Sequence, residues 1–224
     1  MPPSPGKHAT RSVLPRPRLR GWIHGAAVPA AAVTAALMWR AAAPGTPRLS
    51  IAVFGVGLVA LYLVSSIYHV PPWPEQVRRW LARVDTAMIQ LFIAASFTPF
   101  AVHTLGGAWR TWSLGVAWTI AIIGAGVAIS PLKGPRWLTV AAYSSFGSLA
   151  AIPMIRVAGE LSPVGLTLII AGGVLYIVGG IIYARQGPNP APAWFGFHEV
   201  FHVLVVAASG LHVVAIWRYA LPLA

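Results

Sequence analysis

The chain has 224 residues, of which 57% are hydrophobic and only 9% are charged, against about 25% charged in a soluble domain. That deficit excludes a surface bathed in water, and at about 20 apolar residues per span the length holds roughly seven transmembrane helices and no separate soluble domain. The net charge of +12 does not point to nucleic acid, because basic residues in a membrane protein gather in cytoplasmic loops and hold the topology; the absence of Cys excludes disulfides and thiolate metal sites.

Residues 1–20 are rich in Pro, Ser and Arg and predict a disordered basic tail. The apolar stretch that follows is longer than the core of a signal peptide and predicts an uncleaved span. The predicted transmembrane domain, 21–219, is all-α, with spans at 21–42, 49–70, 84–106, 109–130, 136–157, 163–184 and 197–219. Pro and Gly fall mostly in the gaps, while Pro29, Pro99 and Pro153 fall inside spans, where kinks are tolerated. Trp73, Trp80, Trp109, Trp112, Trp137, Trp194 and Trp217 lie near predicted ends, as an aromatic belt requires. Gly172–Gly173 and Gly179–Gly180 in span six would let helices approach closely.

Orientation follows from the basic residues. With a cytoplasmic N-terminus, Lys7, Arg11, Arg16, Arg18, Arg20, Arg78, Arg79, Arg83, Lys133, Arg136 and Arg185 lie inside. Arg40, Arg48, Arg110, Arg156 and Arg218 then lie outside. The bias predicts N-in, C-out.

Ionisable groups within a bilayer are costly and mark function by default. Span two ends in Ser65-Ser66-Ile67-Tyr68-His69, span three opens with Arg83-Val84-Asp85, and span seven opens with His198-Glu199-Val200-Phe201-His202. The predicted topology sets all three at one depth, near the cytoplasmic face. His198 and His202, spaced i, i+4, share a helix face, as do Ser65 and His69. Three imidazoles, with water in a fourth position, form a catalytic-type zinc site. Asp85 is open to three readings: hydrogen bonding to that water, orientation of a His, or pairing with Arg78, Arg79 or Arg83. Ser65 either assists in the same way or simply packs. His24 is near enough to support the site from behind. His212 lies ten residues past His202, about 15 Å along a helix, and His103 falls on the outer side; neither can join the ion. His8 is in the tail.

His198-Glu199-Val200-Phe201-His202 also matches H-E-x-x-H, in which the Glu is the general base of a zinc protease. Glu199 is rotated about 100° from His198 on a helix, and downstream only His212 remains as a third ligand, so protease chemistry is not expected. A catalytic role for Glu199 stays open.

The combination of Ser65-x3-His69, Asp85 and His198-x3-His202 continuing as HVLVVAASGLH resembles the hemolysin III family, the bacterial branch of the progestin and adipoQ (adiponectin) receptor superfamily. PRLRGWIHG before and into span one, RVDTAMIQLFIAASFTPF and FGFHEVFHVLVVAA carry the bacterial character. The resemblance covers roughly residues 18–219. It implies a seven-helix, N-in fold in the bacterial plasma membrane, one zinc ion held by His69, His198 and His202, and Ser65 and Asp85 beside it as catalytic candidates. The receptor branch has Gln where this chain has Glu199, which leaves the ligands intact but makes receptor pharmacology unsafe to transfer. The superfamily's alkaline ceramidases imply a zinc-dependent hydrolase of lipid amides or esters, with membrane lipids as substrate. The alternatives are a non-catalytic sensor or lipid-homeostasis factor with structural zinc, and a cytolytic protein as the family name suggests. No secretion signal or amphipathic pore-forming segment supports the last.

Overall fold

The computed structural model describes residues 16–130, 137, 155–156 and 158–223. Among them the chain forms six helices long and apolar enough to cross a membrane, and no strand. They are α1 (Trp22–Ala41), α2 (Thr46–His69), α3 (Glu75–Thr104), α4 (Gly107–Ile129), α5 (Pro163–Arg185) and α6 (Phe197–Ala215). A π-turn, Ile216–Ala220, and a 3₁₀ turn, Leu221–Leu223, extend α6. The predicted span 136–157, with Pro153, lies outside the described residues apart from Trp137, Ile155 and Arg156.

Helix ends follow local chemistry. Pro47 and Pro163 sit in the first turns of α2 and α5, where a missing N–H breaks no intrahelical bond. The Ser162 hydroxyl accepts from the Gly165 N–H at 3.2 Å, a cap on the free donors of α5. Gln186, left-handed at φ 57°, ends α5.

Helix α3 begins at Glu75, well before the predicted 84. Its first turns, with Glu75, Arg78, Arg79 and Arg83, are too polar to read as a span. They are helical because Pro74 starts the helix and Glu75 pairs with Arg78 and Arg79 one turn on, a favourable spacing for opposite charges. The rest of α3 is the centre of the bundle: Phe92, Phe97, Phe100 and the small residues Ala94, Ala95 and Ala101 are buried. Pro99 costs a backbone bond inside this helix, and the nearby Thr98 hydroxyl donates to the Ala94 carbonyl at 2.7 Å.

α3 packs between α2 and α4, α1 packs on α2, and α6 packs on α5 and meets α1. The core is Met38, Ile51, Phe54, Leu58, Phe92 and their neighbours. Val33, Val56, Ile122, Ile123 and Ile170 are more than half exposed on the outside. In water so large an apolar surface would aggregate; in hydrocarbon it is the matched surface.

The predicted close approach at the span-six glycines is real at two of them. A Cβ at Gly172 would lie 2.5 Å from His212 Cδ2, and one at Gly179 would lie 3.2 Å from Phe201 Cδ2, whereas Gly173 faces open space. The expectation of a disordered tail to residue 20 is corrected for its last residues. Arg18 N–H and Leu19 N–H donate to the Ala193 and Trp194 carbonyls at 3.0 and 3.1 Å, and the Arg18 guanidinium lies over the Trp194 ring at 4.4 Å.

Candidate metal centre

Three chain segments meet where α2 ends and α1 and α6 begin. His69 is the last residue of α2; His198 and His202 occupy the first turns of α6. Helical spacing brings the latter two to one face, and α1, packed on both α2 and α6, sets His69 opposite them. One ring nitrogen from each of the three lies within 4.8 Å of the others. His69 is 5% exposed, His198 9% and His202 2%. The His69 and His198 Nε2 atoms stand 3.0 Å apart, close to the ~3.3 Å that two imidazoles make around one tetrahedral ion at ~2.0–2.1 Å each.

The donor set fits a metal of intermediate softness: three imidazoles and no thiolate. Burial fits as well. His202 Nδ1 is enclosed without a hydrogen-bond partner, an arrangement that costs free energy unless something takes up the imidazole's polarity.

Asp85 stands beside the cluster. Its Oδ2 is 3.8 Å from the same His69 Nε2 that meets His198. The carboxylate therefore stands by the His69 nitrogen that faces His198, not by the far side of that ring. Of the arginines weighed as its partners, Arg78 and Arg79 pair with Glu75, and Arg83 reaches the Ile129 carbonyl at 3.5 Å. Ser65, one turn before His69 and buried, lies beside the Asp85 carboxyl.

The remaining candidates fall elsewhere. His212 Nε2 is 3.3 Å from the Ile169 carbonyl and its ring packs against Tyr176 and Phe100. His103 Nε2 is 3.4 Å from the Ser50 hydroxyl. His8 lies outside the described residues. Glu199 is fully buried but faces away from the imidazoles: Oε2 accepts the Gly196 N–H at 2.8 Å and Oε1 pairs with Arg20. The H-E-x-x-H match thus holds for its two histidines but not for its Glu, whose carboxylate is occupied in starting its own helix. His24 stacks flat on His202, ring centroids 3.9 Å apart and 7° between planes.

Sequence reasoning missed Arg20 and Gly21, both of which touch this cluster's surroundings. One signal was available. Glu199 is the only acidic residue in the last apolar run, and a carboxylate entering a bilayer requires a cationic partner.

Fold and site together define a class: a multi-pass, all-helical membrane protein with a buried histidine triad at one end of its bundle. More particularly, the chain belongs to the family described as "Haemolysin-III related", whose sequence profile matches residues 13–213. It is 30% identical to Hemolysin-3 of Bacillus cereus over 172 residues, 77% of this chain and 75% of that one. It is 25% identical to the human Monocyte to macrophage differentiation factor over 203 residues, 88% and 82% of the two chains. A Drosophila melanogaster Adiponectin receptor protein is 28% identical over 153 residues, 61% of this chain and 34% of that protein. No solved structure matches the chain.

Proposed function

We propose that this chain is a zinc-dependent hydrolase of lipid amides or esters, working inside a seven-span, N-in membrane domain close to the cytoplasmic face. The observation that carries it is the convergence of His69, His198 and His202, with the Asp85 carboxylate facing the same point. His69, His198 and His202 would hold a zinc ion, which would supply Lewis-acid polarisation of a scissile carbonyl and a more acidic water. The protein's own residues supply the rest. As uncharged donors the three imidazoles would leave the ion its positive charge. Asp85 orients the attacking water and takes its proton as general base. Ser65 holds the Asp85 carboxylate in place. The buried setting strengthens each of these interactions. Membrane lipid reaches the site from the bilayer with its polar linkage at the level of the cluster.

Metal content by elemental mass spectrometry tests the site. The expected result is about one zinc per wild-type chain, lost in His202→Ala. Folded wild-type protein without metal overturns the reading and leaves the histidines as an interhelical hydrogen-bond network. For catalysis, Asp85→Ala should abolish hydrolysis of lipid amides with zinc retained. A second reading also has an observation behind it: at 3.8 Å from His69 Nε2, Asp85 is near enough to become a fourth ligand. A closed sphere is structural zinc, and the protein would then be a sensor or homeostasis factor. Loss of metal from Asp85→Ala, with no hydrolysis by the wild type, selects that reading.

A further inference from the structure

The three histidines come from only two helices, and neither fixes the other's position alone. Both pack against α1, and the contacts at its start are close and specific. Arg20 pairs with Glu199, the residue next to His198, and that carboxylate also holds the Gly196 N–H at the start of α6. Gly21 adopts φ +84°, and a Cβ there would lie 2.5 Å from His69 Cβ. This position therefore requires glycine twice over, for its left-handed backbone and for the absence of any atom toward the histidine. His24, one turn on and 3% exposed, stacks flat on His202. Three residues within a stretch of five thus meet the cluster: Arg20 through Glu199 beside His198, Gly21 through close contact with His69, and His24 through ring stacking on His202.

We infer that the Arg20–His24 segment is a positioning element for the metal site, setting the approach of His69 to the α6 pair while giving no ligand of its own. The hydrogen bonds of Arg18 and Leu19 to the Ala193 and Trp194 carbonyls hold this segment against the loop before α6. The segment acts as a clamp joining the end of α2 to the start of α6. Partners behind metal ligands are worth about 10- to 100-fold in affinity, and the clamp's contacts belong to that class.

The inference rests on the metal reading above, and its test separates the two. Purified full-length protein is stripped with a chelator and titrated with cobalt(II), reading affinity and the visible absorption envelope, with thermal unfolding of the apo forms as the fold control. Arg20→Ala and His24→Ala keep every ligand, yet each should bind cobalt at least about 10-fold more weakly, with an altered envelope. Arg20→Lys, which keeps the charge, and His24→Phe, which keeps the flat ring, should restore most of the affinity. That rescue by Phe would not occur if a His24 nitrogen were a ligand. Arg110→Ala, whose guanidinium donates to the Leu105 carbonyl at the other end of the bundle, should bind as the wild type does. If Arg20→Ala does not fold, Arg20→Gln carries the same expectation. Folded Arg20 and His24 variants with wild-type affinity and envelope overturn the clamp alone; a folded wild type that takes up no cobalt overturns the metal reading and the clamp with it.

Discussion

At the scale of single residues, chemistry in this protein depends on which polar groups are answered and which are left to face one another. Glu199 is answered twice, by Arg20 and by the Gly196 N–H, so it is a structural carboxylate. Glu199→Ala leaves the Arg20 guanidinium unpaired in a largely buried place and uncaps α6. Breaking a buried pair in this way costs about 3–5 kcal/mol, and a marked fall in melting temperature in detergent checks it. Glu199→Gln keeps the acceptor for Gly196 and should lose less. Asp85, by contrast, faces the imidazoles. Asp85→Asn keeps shape and removes charge and basicity. On the proposed hydrolase reading, turnover should fall by about 10²–10⁴-fold, the usual worth of a general base, with metal content at the wild-type level; unchanged turnover would remove Asp85 from the mechanism.

At the scale of elements, α5 and α6 show how close packing is obtained without a hydrophobic drive between helices. Lipid is as apolar as the helix surfaces, so close approach has to come from small residues and good packing. Gly172 provides it against the His212 ring. Gly172→Ala would set a Cβ 2.5 Å from Cδ2 and 3.1 Å from the Ala208 carbonyl oxygen, and overpacking of this kind costs about 1–3 kcal/mol. Gly173→Ala meets nothing within 4 Å and gains helix propensity. Thermal unfolding of the two variants side by side should show a lower midpoint for the first and an equal or higher one for the second. An equal loss at both would mean that neither glycine matters through packing.

For the whole molecule, the prediction is orientation. Because the chain contains no Cys, single cysteines report sidedness without background. Arg83→Cys, in the first turns of α3, should react with an impermeant maleimide only from the cytoplasmic side. Arg110→Cys, beside the start of α4, should react only from the outside. The reverse pattern would place the histidine triad at the outer face and change which leaflet can supply substrate.

Much of this was legible in the residues themselves. A composition with only 9% charged residues points to helices in a bilayer, because only internal hydrogen bonding satisfies a backbone there. Helix periodicity alone pairs His198 with His202 and Ser65 with His69. The early start of α3 was hidden because hydropathy reads apolar runs, and a charged first turn breaks the run without breaking the helix. What only the tertiary structure decided is which groups face one another. It turned Asp85 toward His69 and Glu199 toward Arg20, and it brought the start of α1 against His69, His202 and Glu199. The sequence by itself determined the membrane, the helices and the ligand candidates, since burial and periodicity are local properties of a chain. The direction of each carboxylate and the bracing of the site depended on contacts between residues as far apart as Arg20 and Glu199, and no local pattern encodes those.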